Sequence, residues 1–274
     1  MKKEIIKNDE NTLAELYLFL DKSNRLPSKK FAKEASKDCP NTDSGFAGWK
    51  EKEALEFHLN FVNNDAEKQF PNEGNMETKI SDSVRKTLRK IKDSIPMESL
   101  NIFIFPTTSK FVKDKLDGIS GFCTFKKTII LHMFPSENWE ESMKKSLIHE
   151  ATHALSPFYN INEMSIGEQI IFDGIAENFV EHITGEKSHL GNAINKESAQ
   201  KYFEELKEIL DSEDFEEHGK VFYGTGKYPL WTGYSIGYHL IKEYLKKVDL
   251  TWDEIIKKDP KEILKEILIT NPST

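Results

Sequence analysis

The sequence predicts an α+β protein, mostly helical with a small β-sheet, and three observations carry that expectation. Over most of the chain, apolar residues recur at three- and four-residue intervals, the period of a helix with one buried face. Two stretches between residues 100 and 133 are instead dense in β-branched and aromatic side chains, the composition of strands. The chain has 274 residues, enough for one large domain or two small ones with a substantial core.

In chain order, residues 12–20, 28–37 and 46–70 are expected to be helices, the last with Phe46, Trp49, Leu55, Leu59 and Val62 as its apolar positions. Pro71-Asn-Glu-Gly-Asn75 is the clearest loop signal in the first half. It sets the expected division into an N-terminal helical region, 1–75, and a catalytic domain, 76–274, which together could form one compact unit. Thr78 to Ile95 reads as a helix whose Arg and Lys residues make a solvated face. Leu100 to Phe105 and Thr124 to Met133 read as strands. A helix is expected from about Asn138 and another over Glu168 to Gly185, where Ile170, Ile171, Ile175, Phe179, Val180 and Ile183 recur at helical intervals. Gly224-Thr-Gly226 lacks the rest of a phosphate-binding motif and reads as a loop before the last helical region. There are no internal repeats and no low-complexity tracts.

Composition excludes several classes of function. The formal net charge is −8, charged residues make up 31% of the chain, and no basic stripe is present, so no nucleic-acid partner is expected. The start Lys2-Lys3 is followed by Glu4, Asp9, Glu10 and Glu15, which interrupt any export signal. The longest apolar run there, Leu16 to Leu20, is far short of a membrane span. A cytoplasmic protein with no membrane partner is expected; oligomeric state is left open. Cys39 and Cys123 give no disulfide framework, and Cys123 reads as a small buried strand residue.

His149-Glu150-Ala151-Thr152-His153 is the most informative stretch. A helix advances about 100° per residue, so positions four apart return to one face a turn along. Two imidazoles so placed can converge on a cation at about 2.0–2.1 Å. Glu150 follows the first of them, where it could take a proton from a metal-activated water. The plain alternative is an amphipathic helix whose two His happen to share a face. Leu147, Ile148, Ala151, Ala154 and Leu155 argue against it, because they predict a largely buried helix. Burial of two imidazoles and a carboxylate is costly unless they are paired or bound to metal.

A catalytic zinc usually has three protein ligands and an open position. On the following helix Asp173, Glu177 and Glu181 lie four residues apart and form one stripe. Spacing alone does not choose among the three. The remaining histidines, His58, His132, His182, His189 and His218, have no ligand spacing with the motif.

The blocks HEATH, Asp173-Gly-Ile-Ala-Glu177 and Trp231-Thr-Gly-Tyr-Ser-Ile-Gly-Tyr238 resemble, in order, those of the YjaZ-like zinc-dependent proteases. That family was long catalogued as a domain of unknown function, and the resemblance covers roughly residues 80 to 250. It implies a zincin-like metallopeptidase of the gluzincin type, with the sheet beside the motif helix and Zn²⁺ as cofactor. It implies that Glu177 is the third ligand, with His149 and His153, and that Asp173 holds the outer N–H of a ligand imidazole. The expected partner is a peptide or protein substrate. An edge strand would pair with its backbone, and Thr128 to Met133 is the natural candidate, with an ordinary core strand an equal alternative because strand content does not reveal an edge. Tyr234 is the first choice of donor to the oxyanion, with His239 weaker and packing an equal claim on the tyrosine. Gly233 and Gly237, four apart, would let another helix approach closely. Two competing functions remain: a zinc hydrolase of a non-peptide substrate, and a non-catalytic regulatory or binding protein in which zinc staples helices.

Overall fold

The computed structural model describes residues 2–19, 75–107, 109–125, 127–134, 137–158 and 164–270. The helices expected over 28–37 and 46–70, and nearly all of the 71–75 loop, lie outside these residues. The chain divides into two compact units, Met1–Leu155 and Ser156–Thr274. Together they hold nine α-helices and one five-stranded sheet among the described residues, a mixed α/β architecture.

The first unit is built on the sheet. Strands β1 (Lys2–Asn8) and β2 (Asn11–Leu18) form an antiparallel hairpin that turns through Asp9 at φ 53°. β3 (Leu100–Pro106), β4 (Ile119–Phe125) and β5 (Thr128–Met133) complete it in the order β1-β2-β3-β5-β4. β2–β3 and β3–β5 are parallel, while β4–β5 is antiparallel. The helix expected over 12–20 is therefore a strand. Leu13, Ala14, Leu16, Tyr17 and Leu18 are all buried, since β2 is an inner strand with both faces covered. Such a strand has no alternation, and its leucines three apart imitate helical spacing. On one sheet face Tyr17 stacks on Phe103 at 4.5 Å and Phe19 on Phe105 at 4.5 Å.

Three helices belong to this unit. α1 (Met76–Ser94) buries Ile80, Val84, Leu88 and Ile91, which supports the reading of its basic residues as an outer face. α2 (Lys110–Lys115) is short and capped by the Ser109 hydroxyl. α3 (Trp139–Leu155) packs on α1 and on β4 and β5. The candidate edge strand needs correction. β5 pairs with β3 on one side and β4 on the other, and all six of its residues are buried. The edge nearest α3 is β4.

The second unit is helical: α4 (Ile166–Thr184), α5 (Lys196–Leu206), α6 (Phe215–Tyr223), α7 (Thr232–Tyr244), α8 (Trp252–Ile256) and α9 (Pro260–Thr270). A reciprocal capping box between Ser165 and Glu168 starts α4, and Gly185, at φ 74°, stops it. α4 and α7 touch backbone to backbone at Gly174 and Gly237. A Cβ on Gly237 would lie 2.0 Å from the Ile170 carbonyl oxygen. Asn178 spans the same contact, donating to the carbonyls of Gly174 (2.8 Å) and Tyr238 (2.9 Å). Among the described residues no helix is long and apolar enough to cross a membrane.

Candidate metal centre

α3 carries the motif in its last two turns. Glu140 and Glu141 sit in its first turn, where acidic side chains suit the helix dipole. At the other end the Lys127 N–H, in the β4–β5 turn, donates to the Ala154 carbonyl at 3.3 Å and ties the hairpin to the helix terminus. His149, Glu150 and His153 are 9%, 7% and 6% exposed, so burial of the polar triplet is as the sequence predicts.

The two imidazoles face each other across one turn. Their Nε2 atoms are 3.0 Å apart and their rings are nearly perpendicular, at 88°. Two donors about 2.0–2.1 Å from one ion at a tetrahedral angle are separated by about 3.3 Å. The pair therefore fits a shared divalent cation, and imidazole is a ligand that zinc favours.

The sequence reading missed Gly121. A Cβ at this position in β4 would lie 2.5 Å from Glu150 Cγ and 2.6 Å from its Oε1. The edge strand lacks a side chain where Glu150 sits. Glycine inside a strand signals such a close approach, though not to which partner.

In the second unit the carboxylate stripe separates into two kinds. Asp173 and Glu177 are buried, at 5% and 2% exposure. Asp173 Oδ2 accepts from Gln169 Nε2 at 3.4 Å, and Glu177 Oε2 accepts from the Gly191 N–H at 3.1 Å. Glu181 instead takes Lys242 Nζ at 2.8 Å and the Tyr238 hydroxyl at 2.6 Å. Burial works against its ionisation, but those two donors hold its carboxyl below the ordinary range. Glu181 thus belongs to an ion-pair network between α4 and α7.

Tyr234 packs edge-on to Phe222 at 5.4 Å and to Trp231 at 5.6 Å. Trp231, at φ 68°, holds the left-handed conformation immediately before α7. His239 directs Nε2 at the Ile194 carbonyl, 3.3 Å away, and burial lowers its pKa. His132 lies in the sheet against Phe105 and Phe122.

A helix that buries two facing imidazoles with a glutamate between them defines a candidate divalent-metal centre. The family profile described as "Predicted Zn-dependent protease (DUF2268)" matches residues 80–265, and the chain belongs to that family. The chain is 24% identical over 172 residues to the uncharacterized protein YjfC of Bacillus subtilis (strain 168), covering 56% of this chain and 57% of that protein. It thus spans a little over half the length of that relative. No solved structure matches the chain.

Proposed function

We propose that the chain is a zinc-dependent peptidase of the HExxH type, in which His149, His153 and Glu177 hold Zn²⁺ and Glu150 is the general base. The observation that carries this reading is the pair of buried Nε2 atoms 3.0 Å apart, with Glu150 buried on the same helix. Glu177 is assigned as the third donor, and Asp173 as the support of an imidazole N–H, because they hold those positions in the family's Asp173-Gly-Ile-Ala-Glu177 block; Glu181 is already engaged by Lys242. Bound zinc would supply Lewis acidity, bringing the pKa of water toward neutrality and polarising the scissile carbonyl.

Glu150 accepts the proton of the attacking water and returns it to the leaving amine. The Tyr234 hydroxyl is the candidate donor to the oxyanion. An extended peptide adds to the outer edge of β4, where main-chain hydrogen bonds give affinity with little demand on sequence. Gly121 then lies between substrate and base, with no side chain to obstruct either.

The test is Glu150→Gln, assayed for zinc content and for cleavage of a mixed peptide pool. Full zinc with hydrolysis reduced about 10²–10⁴-fold is expected, the usual worth of general acid–base catalysis. Undiminished hydrolysis by the zinc-loaded variant would sink the proposal.

A further inference from the structure

Among the described residues the sheet has two unlike edges, β1 and β4. β1 carries Lys2, Lys3, Glu4 and Lys7, charges of the kind that discourage another strand from adding to it. β4 reads ISGFCTF and carries no charge, and its pairing with β5 is regular from Ile119 to Cys123. An edge of that kind is a template for a further strand. Side chains alternate along β4, and Gly121 faces Glu150, so Phe122 points to the opposite face of the sheet. There it ends a row of rings. Phe105 meets His132 at 5.8 Å, and His132 meets Phe122 edge-on at 5.6 Å. Phe105 and His132 are buried, whereas Phe122 is 41% exposed. The row therefore reaches the edge of the sheet with its last ring partly open to solvent.

We infer that Phe122 determines specificity: it forms one wall of a subsite for an aromatic or β-branched substrate residue beside the scissile bond. In a peptide strand added to β4, the residue opposite Gly121 projects toward the face that holds Glu150. Its neighbour, opposite Phe122, stands on the other face and continues the row of rings. Directly opposite Cβ atoms lie about 4.5–5.5 Å apart, close enough for the two side chains to pack. Aromatic and β-branched residues are the favourable partners for an aromatic ring at that separation. The inference rests on the peptidase reading above and names the class of peptide that its edge strand accepts.

The experiment maps cleavage sites in a random peptide pool by mass spectrometry for zinc-loaded wild type, Phe122→Ala and Phe122→Glu, with zinc content and mass in solution measured alongside. Wild type is expected to favour aromatic and β-branched residues about 3- to 10-fold at one position next to the cleaved bond or one residue beyond it. Phe122→Ala should flatten that position, and Phe122→Glu should turn it toward Lys and Arg, with zinc content and the other positions unchanged. Affinity of the zinc-free protein for two peptides that differ only there, Phe against Ser, repeats the comparison without turnover. A wild type with no such preference, or variants that keep it, overturns the inference and leaves the peptidase reading standing. If Phe122→Glu does not fold, Phe122→Ala decides alone. A dimer that Phe122→Glu dissociates, with cleavage preference unaltered, overturns the inference in favour of a second copy of the chain on this edge. Absence of any cleavage by the zinc-loaded wild type removes both the inference and the peptidase reading.

Discussion

Glu150 sits where β4 has no side chain, and this contact joins the motif to the sheet. In Gly121→Ala the new Cβ would fall 2.6 Å from Glu150 Oε1, so the carboxylate must move. The ligands are untouched. Turnover should fall about tenfold or more, roughly 1.4 kcal/mol of barrier, with zinc content unchanged. Parallel kinetics and elemental analysis check this, and loss of zinc would point to a wider disturbance. At this scale, legibility depends on sequence separation. His149, Glu150 and His153 are read directly because their geometry is set within one helical turn. Gly121 and Glu150 are brought together only by the packing of helix on hairpin, as Gln169 and His218 are by the packing of two helices. No local spacing announces either contact.

Between elements, the α4–α7 contact is the closest in the second unit. Gly237→Ala would drive a methyl group to 2.0 Å from the Ile170 carbonyl oxygen. Backbone cannot yield as a side-chain tip can, so the cost should reach or exceed the upper end of the usual ~1–3 kcal/mol for overpacking. Urea denaturation of the variant measures it. The same two helices are joined by Glu181, Lys242 and Tyr238. Glu181 titrates below its ordinary value of 4.5, so its share of stability is present above that value and is lost as pH falls through the lowered one. Lys242 is opposed by burial but raised above 10.5 by Glu181 and Tyr238, so its share is present below 10.5 and lost above the raised value. The pair is partly exposed, and Lys242→Met should cost less than about 1 kcal/mol at pH 7. The difference in melting temperature from wild type should narrow below pH 4.5. A difference that stays constant into strong acid would show that charge is not the cause.

The elements themselves were unequally legible. α4 declares itself through the Ser165–Glu168 capping box, its apolar period and Gly185. The paired glycines of α7 also announce close helix packing, and Gly237 provides it. The inner strands were harder. β2 reads as a helix, and for β5 the sequence leaves edge and core equally open, because residues buried on both faces carry no alternation and a strand's neighbours are set by distant pairing. β2 finds its parallel partner β3 more than eighty residues away in the chain.

For the whole molecule, the proposed ligand set is His149, His153 and Glu177. Zinc that binds only the folded chain stabilises it by mass action, about 2.7 kcal/mol at a hundredfold excess over Kd. Chelation should therefore lower the melting temperature, and re-addition of zinc should restore it; a melting temperature indifferent to both would contradict the proposed ligand set. Order along the chain was legible for the three motif blocks, whereas the division after Leu155 follows from contacts that no window of sequence contains.

The most direct measurement is metal content of purified protein by elemental analysis, for wild type, His149→Ala, Glu177→Ala and Asp173→Ala. The account predicts about one zinc per chain in wild type, its loss in His149→Ala and Glu177→Ala, and its weakened retention in Asp173→Ala. Zinc absent from wild type even after reconstitution would contradict it and leave the facing imidazoles as a packing contact.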